Sequence, residues 1–575
     1  MAIEGITSDK TLAEGIDNDQ KLNRTPTQIS SSSEIQPELH EKYGPADFET
    51  AIEMAGFGKF NILLILCAFP AAAATIVETS VMSFILPSAE CDLKLTLIDK
   101  GLLNGVTYLG MITSAIIWGY YSDTKGRKNL LIFGYFSNII SVMGAATSQT
   151  VIQLMVFKYI SGCIMCGPFA ILLSYLTELH GKKHRSRILM YVGVMFSVSN
   201  TVLPIVALLV LPKHWDFKLC GLQFHSWQVF IAINALPSLL AGILLNFFPE
   251  SPKFLMSQGR NAEALRVFQG IYAINNRKSR EDFPIKELIN ELSTSEKTYI
   301  PNVSVYAIEE SIPKEQQTNA INKIPKNDEK PKVGLRQGWE QLRPLLRKPY
   351  LGLSLRVYLM NFAVLVGQNT LRLWVPQMFA SIEEYEQMYG TAGATMCTIV
   401  EYSVNKTEIL KTQIRDFEMD KCEVDITPAS YTNNILVAVT GLLGYIIAGI
   451  VVNRVGSKRL LTFGAVSAGL CGIGLYFSVS SLSTSIIASI SITLGSIAAM
   501  SILSSSVDMF PTSLRAMIVS LAMMVGRIGS ILGNVLFPIF MSLGCLSPFI
   551  MLTVAMWSAA IISLFMPNTK KMVLK

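Results

Sequence analysis

The stretch GYYSDTKGRKNL, residues Gly119–Leu130, decides the fold because its pattern of glycines and charges occurs twice in the chain. It places one acid, three bases and two glycines between long apolar runs. The stretch GIVVNRVGSKRL, residues Gly449–Leu460, repeats the spacing. Three pairs of matching residues are each separated by 330 positions: Gly119 and Gly449, Asp123 and Asn453, and Gly126 and Gly456.

A second charged motif repeats in the same register. The stretches LTELHGKKHRSR and SVDMFPTSLRAM place Glu178 opposite Asp508, and Arg185 opposite Arg515, again 330 positions apart. One match of this kind could arise by chance, but two independent motifs in a single register indicate an internal duplication. We therefore interpret the chain as two copies of one structural unit.

The composition places both units in a membrane. Of the 575 residues, 50% are hydrophobic and only 16% are charged, which exceeds what a water-soluble core can bury. A membrane-spanning helix needs about 20 mostly apolar residues. We predict such spans near residues 57–86, 100–120, 129–148, 151–179, 187–211, 226–248, 350–380, 431–452, 460–480, 484–507, 516–542 and 546–566. A polar linker, residues 250–349, separates the two groups of six and has one helical pattern at Asn261–Ile274.

The basic residues predict the orientation. Lysines and arginines cluster in short loops after even-numbered spans, whereas the loops after spans three, nine and eleven contain none. Because short cytosolic loops are enriched in these residues, both termini and the linker are expected in the cytosol. The polar insertion at residues 381–430 is then expected on the lumenal or extracellular side.

This insertion contains a candidate glycosylation site and a candidate disulfide. Asn405 is the one glycosylation sequon that the predicted topology exposes to the glycosylation machinery. Cys397 and Cys422 share the insertion and either form a disulfide or stay unpaired, since sequence does not fix the connectivity. The nine cysteines show no metal-ligand spacing, so no metal site is predicted.

The pattern G-x-x-x-D-x-x-G-R-K between spans two and three resembles the signature of the major facilitator superfamily. That resemblance implies an all-α membrane protein with twelve transmembrane helices in two six-helix bundles, related by an axis along the membrane normal. The repeated charged motifs would then form a cytosolic gate between the bundles, in which an acid meets bases and a helix N-terminus. Alternatively, the bases only obey the positive-inside bias, which leaves the acid and the glycines unexplained. The predicted gate residues are Gly119, Asp123, Gly126, Arg127, Glu178, Arg185, Asn453, Asp508 and Arg515.

Other stretches narrow the resemblance. PESPKFL, residues 249–255, resembles the motif that ends span six in sugar porters and organic-ion transporters. GFGKF at 56–60, FILPSAECDL at 84–93, LLSYLTEL at 172–179 and QFHSWQVF at 223–230 resemble the synaptic vesicle glycoprotein 2 family. That family has a much larger lumenal domain between spans seven and eight, so its lumenal receptor role is not transferred.

The expected organisation has five parts and one insertion. The parts are a cytosolic N-terminal tail (1–50), a first six-helix bundle (51–249), a cytosolic linker (250–349), a second six-helix bundle (350–566) that contains the insertion 381–430, and a cytosolic C-terminal tail (567–575).

Ionisable side chains inside a span usually mark a transport pathway. The predicted spans contain Glu78, Lys158, Arg356, Arg372 and Arg527. Arg527 is the strongest candidate, because its apolar surroundings give the guanidinium no route to a membrane interface. It is expected to bind solute or to take part in coupling, and the alternative is a structural ion pair with Glu78.

Span seven adds a polar band. Asn361, Gln368 and Arg372 fall on one helical face and are expected to line a cavity together. The alternative is that the Arg372 side chain extends to the outer membrane interface. The candidate substrate-binding or coupling residues are Glu78, Tyr175, Asn361, Gln368, Arg372, Trp374 and Arg527.

These residues favour a secondary active carrier of a small organic solute, an organic ion or a sugar-like molecule, that works by alternating access with proton or ion coupling. Positive charges at depth favour an anionic or zwitterionic solute. The alternative is a vesicle-membrane regulator or binding protein that has the transporter fold but does not transport. Neither an ATP-binding loop nor a catalytic set of side chains is present in the sequence, so an enzyme is not expected.

The expected partners are a small-molecule solute, the lipid bilayer and a proton or cation as coupling ion. No cofactor and no nucleic acid are expected, and we expect a monomer. The predicted location is the plasma membrane or a secretory or synaptic vesicle membrane.

Overall fold

The computed structural model describes residues 45–213, 215–219, 221–289, 343–390, 395–413, 428–510 and 512–567. Within them, 12 helices are long and apolar enough to cross a membrane, which confirms the predicted spans. Four further helices are α1 (Phe48–Ala55), α9 (Pro252–Ser257), α10 (Asn261–Asn276) and α12 (Met396–Gln413). Spans one to six are α2 (Lys59–Ser88), α3 (Leu97–Lys125), α4 (Arg127–Ala146), α5 (Val151–Glu178), α6 (Lys182–Val210) and the pair α7 (Ser226–Ile233) and α8 (Leu236–Leu245). Spans seven to twelve are α11 (Leu351–Tyr389), α13 (Pro428–Val455), α14 (Ser457–Tyr476), α15 (Ser481–Met509), α16 (Thr512–Ser542) and α17 (Ser547–Leu564).

Spans two and eleven meet closely at one end of the molecule. We call this end, which carries α12, the outer end, and we call the opposite end the inner end. A Cβ atom on Gly101 would lie 2.5 Å from the carbonyl oxygen of Asn534, and one on Gly105 would lie 3.6 Å from Ile531. Glycine thus brings the first half of the chain (residues 45–289) into backbone contact with the second half (residues 343–567) at the outer end.

Side-chain caps start several spans. Thr96 precedes span two, where its hydroxyl accepts from the Asp99 amide at 3.2 Å and its own amide donates to the Asp99 carboxylate at 3.0 Å. Ser480 caps span ten in the same reciprocal way with Ser483, and the Thr150 side chain caps span four by accepting from the Gln153 amide. These side chains satisfy amides that have no partner inside the helix, so the polar loops fix where each span begins.

The two copies of the glycine motif adopt the same backbone turn. Gly126 has φ 93° and ψ 157°, and Gly456 has φ 91° and ψ 147°. Each glycine directly precedes a span, α4 or α14. A positive φ strongly favours glycine, so the shared conformation supports the 330-residue register at the level of the backbone.

Span six is interrupted, although a continuous helix was predicted. Its two pieces are separated at Asn234, whose side chain donates to the Phe230 carbonyl at 2.7 Å. Pro237 in the first turn of α8 has no amide hydrogen to continue the helix. Before this span, β1 (Asp216–Leu219) pairs antiparallel with β2 (Leu222–His225), a hairpin that the sequence did not predict.

Short helices at the inner end pack into the large buried core of the first half. Phe48 and Ile52 of α1 belong to one buried cluster with Phe268 and Ile271 of α10. Helix α1 begins within the segment predicted as a tail, because Asp47 accepts a hydrogen bond from the Thr50 amide at 3.1 Å and caps it.

The outer insertion is partly helical, and its disulfide differs from the predicted one. Span seven continues to Tyr389, and α12 follows after a short gap. Cys397 bonds to Cys545 in the loop between spans eleven and twelve, so the prediction of a Cys397–Cys422 pair is wrong. Helix α12 packs on this loop and so brings Cys397 to Cys545, a contact that the spacing of cysteines in the sequence does not reveal. Cys422 lies outside the described residues. Asn405 is exposed on α12, where a glycan can be accommodated.

Candidate functional site

Arg372 of span seven extends from the second half into the first. Its Nη1 donates to Ser80 Oγ in span one at 2.9 Å and to Asn200 Oδ1 in span five at 3.3 Å. Its Nη2 donates to the Tyr108 hydroxyl in span two at 3.3 Å and to Asn369 Oδ1 in span seven at 2.9 Å. Side chains from four spans therefore surround one guanidinium.

All of these partners are uncharged. Each oxygen satisfies a guanidinium hydrogen, but none neutralises the charge. Among the residues that the structure describes, Arg372 forms no ion pair. The half-buried guanidinium therefore creates a positive potential in a low-dielectric region, which favours an anion.

Arg527 of span eleven also extends to the first half. Its Nη1 lies 3.5 Å from Cys166 Sγ in span four. The neighbouring Gly526 packs against Asn361 and Leu365 of span seven. Leu365 precedes Arg372 by seven residues in span seven, and a helix rises about 1.5 Å per residue. Arg527, at the level of Leu365, therefore lies roughly 10 Å nearer the inner end than Arg372.

Glu78 has a different partner from the one considered in the sequence analysis. Its carboxylate forms a buried ion pair with Lys158 of span four, and each side chain is only 3% exposed. A small cavity borders the pair and is also lined by Val142, Ile231 and Asn234. The ion pair with Arg527 that sequence allowed is not formed.

Asn361 and Gln368 connect helices of the second half. Asn361 Nδ2 donates to the Ala522 carbonyl at 2.5 Å, and Gln368 Nε2 donates to Ser496 Oγ at 2.9 Å. Both amides bond within the second half, and their expected place beside Arg372 in a substrate cavity stays a prediction. A short buried amide bonds to the nearest helix, whereas the longer arginine extends across to the first half.

The two aromatic candidates occupy different places. Trp374 is 1% exposed and packs against Phe537 with ring centroids 5.1 Å apart. The indole N–H of Trp374 has no partner among the described residues, and the Trp374 side chain borders a cavity at the outer end. Tyr175 is a structural residue instead, since its hydroxyl donates to the Pro249 carbonyl at 2.6 Å.

A charged network lies at the inner end of the first half. Glu250 accepts from the backbone amides of Arg127 at 2.9 Å and Lys128 at 3.0 Å, and so caps span three. Arg127 Nε lies 3.3 Å from the Glu178 carboxylate, which also accepts from Ser251 Oγ at 2.5 Å. Sequence reasoning missed Glu250, which stands in the quoted motif PESPKFL, because its separation of 123 residues from span three gives no local capping signal.

The other predicted gate residues also bond within their own half. Arg185 forms a two-pronged ion pair with Glu49 at 2.8 and 2.9 Å, and Arg515 donates to the Phe510 carbonyl at 3.0 Å. The contacts described for these residues lie within one half of the chain, and the predicted gate between the halves stays a prediction. A Cβ on Gly119 would meet none of the described atoms within 4 Å. Three predicted side chains lie outside the described part of the structure: Asp123, Asn453 and Asp508.

Related proteins share this architecture. Synaptic vesicle glycoprotein 2B of Rattus norvegicus is 32% identical over 232 residues, which cover 40% of this chain and 34% of that protein. In this match the chain spans about a third of the relative's length. The Homo sapiens form is 24% identical over 605 residues, which cover 92% of this chain and 86% of that protein.

Solved transporter structures have the same fold. The xylose transporter XylE from E. coli, in a partially occluded inward-open conformation, gives a TM-score of 0.57 at 16% identity, over 89% of this chain and 100% of that chain. A D-xylose-proton symporter gives 0.56 at 16% identity, over 90% and 100%. At this identity the likeness shows the fold alone, the major facilitator fold of two six-helix bundles.

Family models match most of the sequence. The model described as "Sugar (and other) transporter" matches residues 422–575. The model described as "Major Facilitator Superfamily" matches residues 66–401, more than half of the chain. The chain therefore belongs to the Major Facilitator Superfamily of multi-pass membrane transporters.

Proposed function

We propose that this chain is a secondary carrier that moves a small organic anion by alternating access. One observation carries the proposal: the Arg372 guanidinium lies between the halves with only uncharged partners among the described residues. A carboxylate or phosphate group on the solute would supply the counter-charge through paired hydrogen bonds. A neutral sugar would leave the charge uncompensated.

The geometry supports alternating access because both halves build the site. Ser80, Asn200 and Tyr108 belong to the first half and Arg372 belongs to the second. When the halves separate at the outer end, Arg372 would leave these oxygens, and a solute anion would take their place. Arg527 would then offer a second cation nearer the inner end.

Glu78 and Lys158 form the proposed coupling site. A proton on Glu78 would break the buried ion pair and leave Lys158 without its counter-charge. Glu78 stands two residues from Ser80, a partner of Arg372, so a change at the pair would reach the solute site through span one. We therefore propose proton coupling.

The membrane orientation completes the proposal. We place the N- and C-termini and the linker 250–349 in the cytosol and Asn405 on the opposite side, as the charge bias indicates. We retain the domain division given by the sequence, except that α1 begins at Phe48. Because relatives are named synaptic vesicle glycoproteins, a vesicle membrane is the proposed location, with the plasma membrane as the alternative.

Uptake into proteoliposomes tests the proposal. Purified chain is supplied with radiolabelled monocarboxylates, dicarboxylates, organic cations and sugars, with and without an imposed pH gradient. We expect uptake of one anionic class, and Arg372→Gln should lower it about a hundredfold, the effect of losing about 2.7 kcal/mol. Arg356→Gln is the matched control, because Arg356 lies in the same span but donates to the Phe565 carbonyl at 2.8 Å.

Two outcomes would contradict the proposal. Uptake of a cation or sugar that is unaffected by Arg372→Gln would reject the anion site. Equal residual flux in the native chain and the variant, across all solutes, would favour the non-transporting regulator.

A further inference from the structure

Four charged side chains lie together at the outer end. Glu90 follows span one and pairs with Lys100 of span two at 2.8 Å. Glu384 lies in the outer part of span seven and pairs with Lys406 of α12 at 2.6 Å. All four line one cavity. Each half of the chain therefore contributes one acid and one base to the same place.

The two pairs also interact with each other. Across the junction the Lys406 ammonium attracts the Glu90 carboxylate, and Glu384 attracts the Lys100 ammonium less strongly than Lys406 repels it. The Glu90–Lys406 attraction is therefore the one that joins the halves in this shared cavity. The first-half pair is strongly buried, with 1% of Lys100 and 9% of Glu90 exposed, so water screens the attraction weakly.

Covalent and backbone contacts fix α12 to the second half. The Cys397–Cys545 disulfide ties its first turn to the loop before span twelve. The Met396 amide donates to the Ser478 carbonyl at 3.0 Å, next to span ten. Lys406 must therefore move with the second half whenever the halves separate.

Polar groups without partners lie just below this cluster. Asn104 in span two is 3% exposed, and both its amide nitrogen and its amide oxygen lack partners among the described residues. Two further buried oxygens also lack hydrogen-bond partners among the described residues: Asn534 Oδ1 in span eleven and Thr370 Oγ1 in span seven. A buried polar group without a hydrogen-bond partner is costly, so these groups favour a state in which water reaches them.

We infer that Glu90, Lys100, Glu384 and Lys406 form an outer ionic gate. Attraction between unlike charges of the two halves keeps the outer end closed over the transport pathway. It opposes the unpartnered polar groups beneath, which favour an open state that water can enter. Each ion keeps a partner in its own half when the gate opens, so opening leaves no buried charge alone. The gate is therefore reversible, and it stands independently of which solute is carried.

Charge exchange tests the gate. In Glu384→Lys/Lys406→Glu the second-half pair is preserved, but every contact across the junction changes sign. A reporter cysteine, Ser381→Cys, lines the cavity and is labelled from the outer side by a membrane-impermeant maleimide. Rates are compared with the same chain without the reporter. We expect labelling to rise about tenfold, the effect of about 1.4 kcal/mol.

The complete exchange is the decisive variant. Adding Glu90→Lys and Lys100→Glu restores unlike charges across the junction and should return labelling to the native rate. Unchanged labelling in the second-half exchange, or no recovery in the fourfold exchange, would overturn the gate. Exchange of the exposed inner pair Arg260 and Glu263 is the control and should change nothing.

Folding is checked by elution as a single species in detergent. If an exchanged chain fails that check, Glu384→Gln/Lys406→Gln keeps the side-chain shapes and removes the attraction. We expect this variant to raise labelling about threefold, half of the exchange effect on a free-energy scale. No rise in this variant would also overturn the gate.

Discussion

The two halves of the molecule treat charge inside the spans differently. The first half pairs Lys158 and Lys100 with carboxylates, whereas the second half, apart from the Glu384–Lys406 pair at the outer end, directs two arginines at uncharged groups of the first. The other described ion pairs of the first half lie at the inner end: Arg127–Glu178, Arg185–Glu49 and Arg260–Glu263. The arginines of the second half are Arg372 and Arg527. In the proposed mechanism the second half provides the charge for the solute, while the first half provides oxygens and a coupling pair.

The largest effect is expected from breaking the most buried pair. Glu78→Gln leaves Lys158 unpaired in the membrane interior, which should destabilise the chain by about 3–5 kcal/mol. Thermal unfolding in detergent, followed by tryptophan fluorescence, measures the loss. The double variant Glu78→Gln/Lys158→Met removes both charges and should recover most of the stability.

The same double variant separates stability from coupling. Its uptake should no longer respond to a pH gradient, although the protein is folded. A pH response equal to that of the native chain would exclude Glu78 as the coupling residue.

The next effect concerns the second arginine. Arg527→Gln should lower anion uptake about tenfold, less than Arg372→Gln, because Arg527 has one described contact and Arg372 has four partners. Initial uptake rates at several solute concentrations measure the loss. Arg527→Lys keeps the charge and should retain more activity than Arg527→Gln; equal losses would show that the charge itself is not used.

The repeated glycines provide a smaller and more local comparison. Gly126→Ala and Gly456→Ala both place a Cβ on a backbone with φ 93° or 91° and ψ 157° or 147°, a conformation that only glycine adopts readily, at a cost of about 1–3 kcal/mol. At Gly126 the new Cβ would also lie 2.5 Å from the Glu250 carboxylate that caps span three. Gly126→Ala should therefore be the more destabilising, by about 1 kcal/mol, the usual value of an N-cap.

Thermal unfolding of both variants checks this order, and a double-variant cycle shows the cause. In a Glu250→Gln background the difference between the two glycine variants should shrink. An unchanged difference would mean that Glu250 and Gly126 do not interact.

Much of the fold could be predicted, because the hydrocarbon thickness fixes span length and glycine fixes the turn. The twelve spans and the shared conformation of Gly126 and Gly456 follow from such local rules. Partners distant in sequence could not be predicted, because they depend on which helix faces touch. Lys158 for Glu78, Glu250 for span three and Cys545 for Cys397 are of this kind. Arg372 was identified by its depth in the membrane, but its ring of neutral oxygens emerged only from the packed halves.

The smallest effect concerns pH at the outer gate. Burial alone would raise the pKa of Glu90, but Lys100 and Lys406 outweigh burial and hold that pKa below its ordinary value of 4.5. A lowered pKa means that the carboxylate stabilises the closed gate at all pH values above 4.5, and that this contribution is lost as pH falls through the shifted pKa. The gate should therefore stay closed in an acidic vesicle lumen.

Labelling of Ser381→Cys from the outer side, normalised to a free thiol peptide at each pH, measures this dependence. The rate should be flat from pH 7 to 5 and should rise only below 4.5. Glu384 and Tyr402 face the same cavity, so Glu90→Gln is needed to assign the change. In that variant the rate should be raised at pH 7 and should rise less on acidification, because the acid that holds the gate is already neutral. A native rate that climbs between pH 7 and 5 would mean that the lysines do not keep Glu90 ionised.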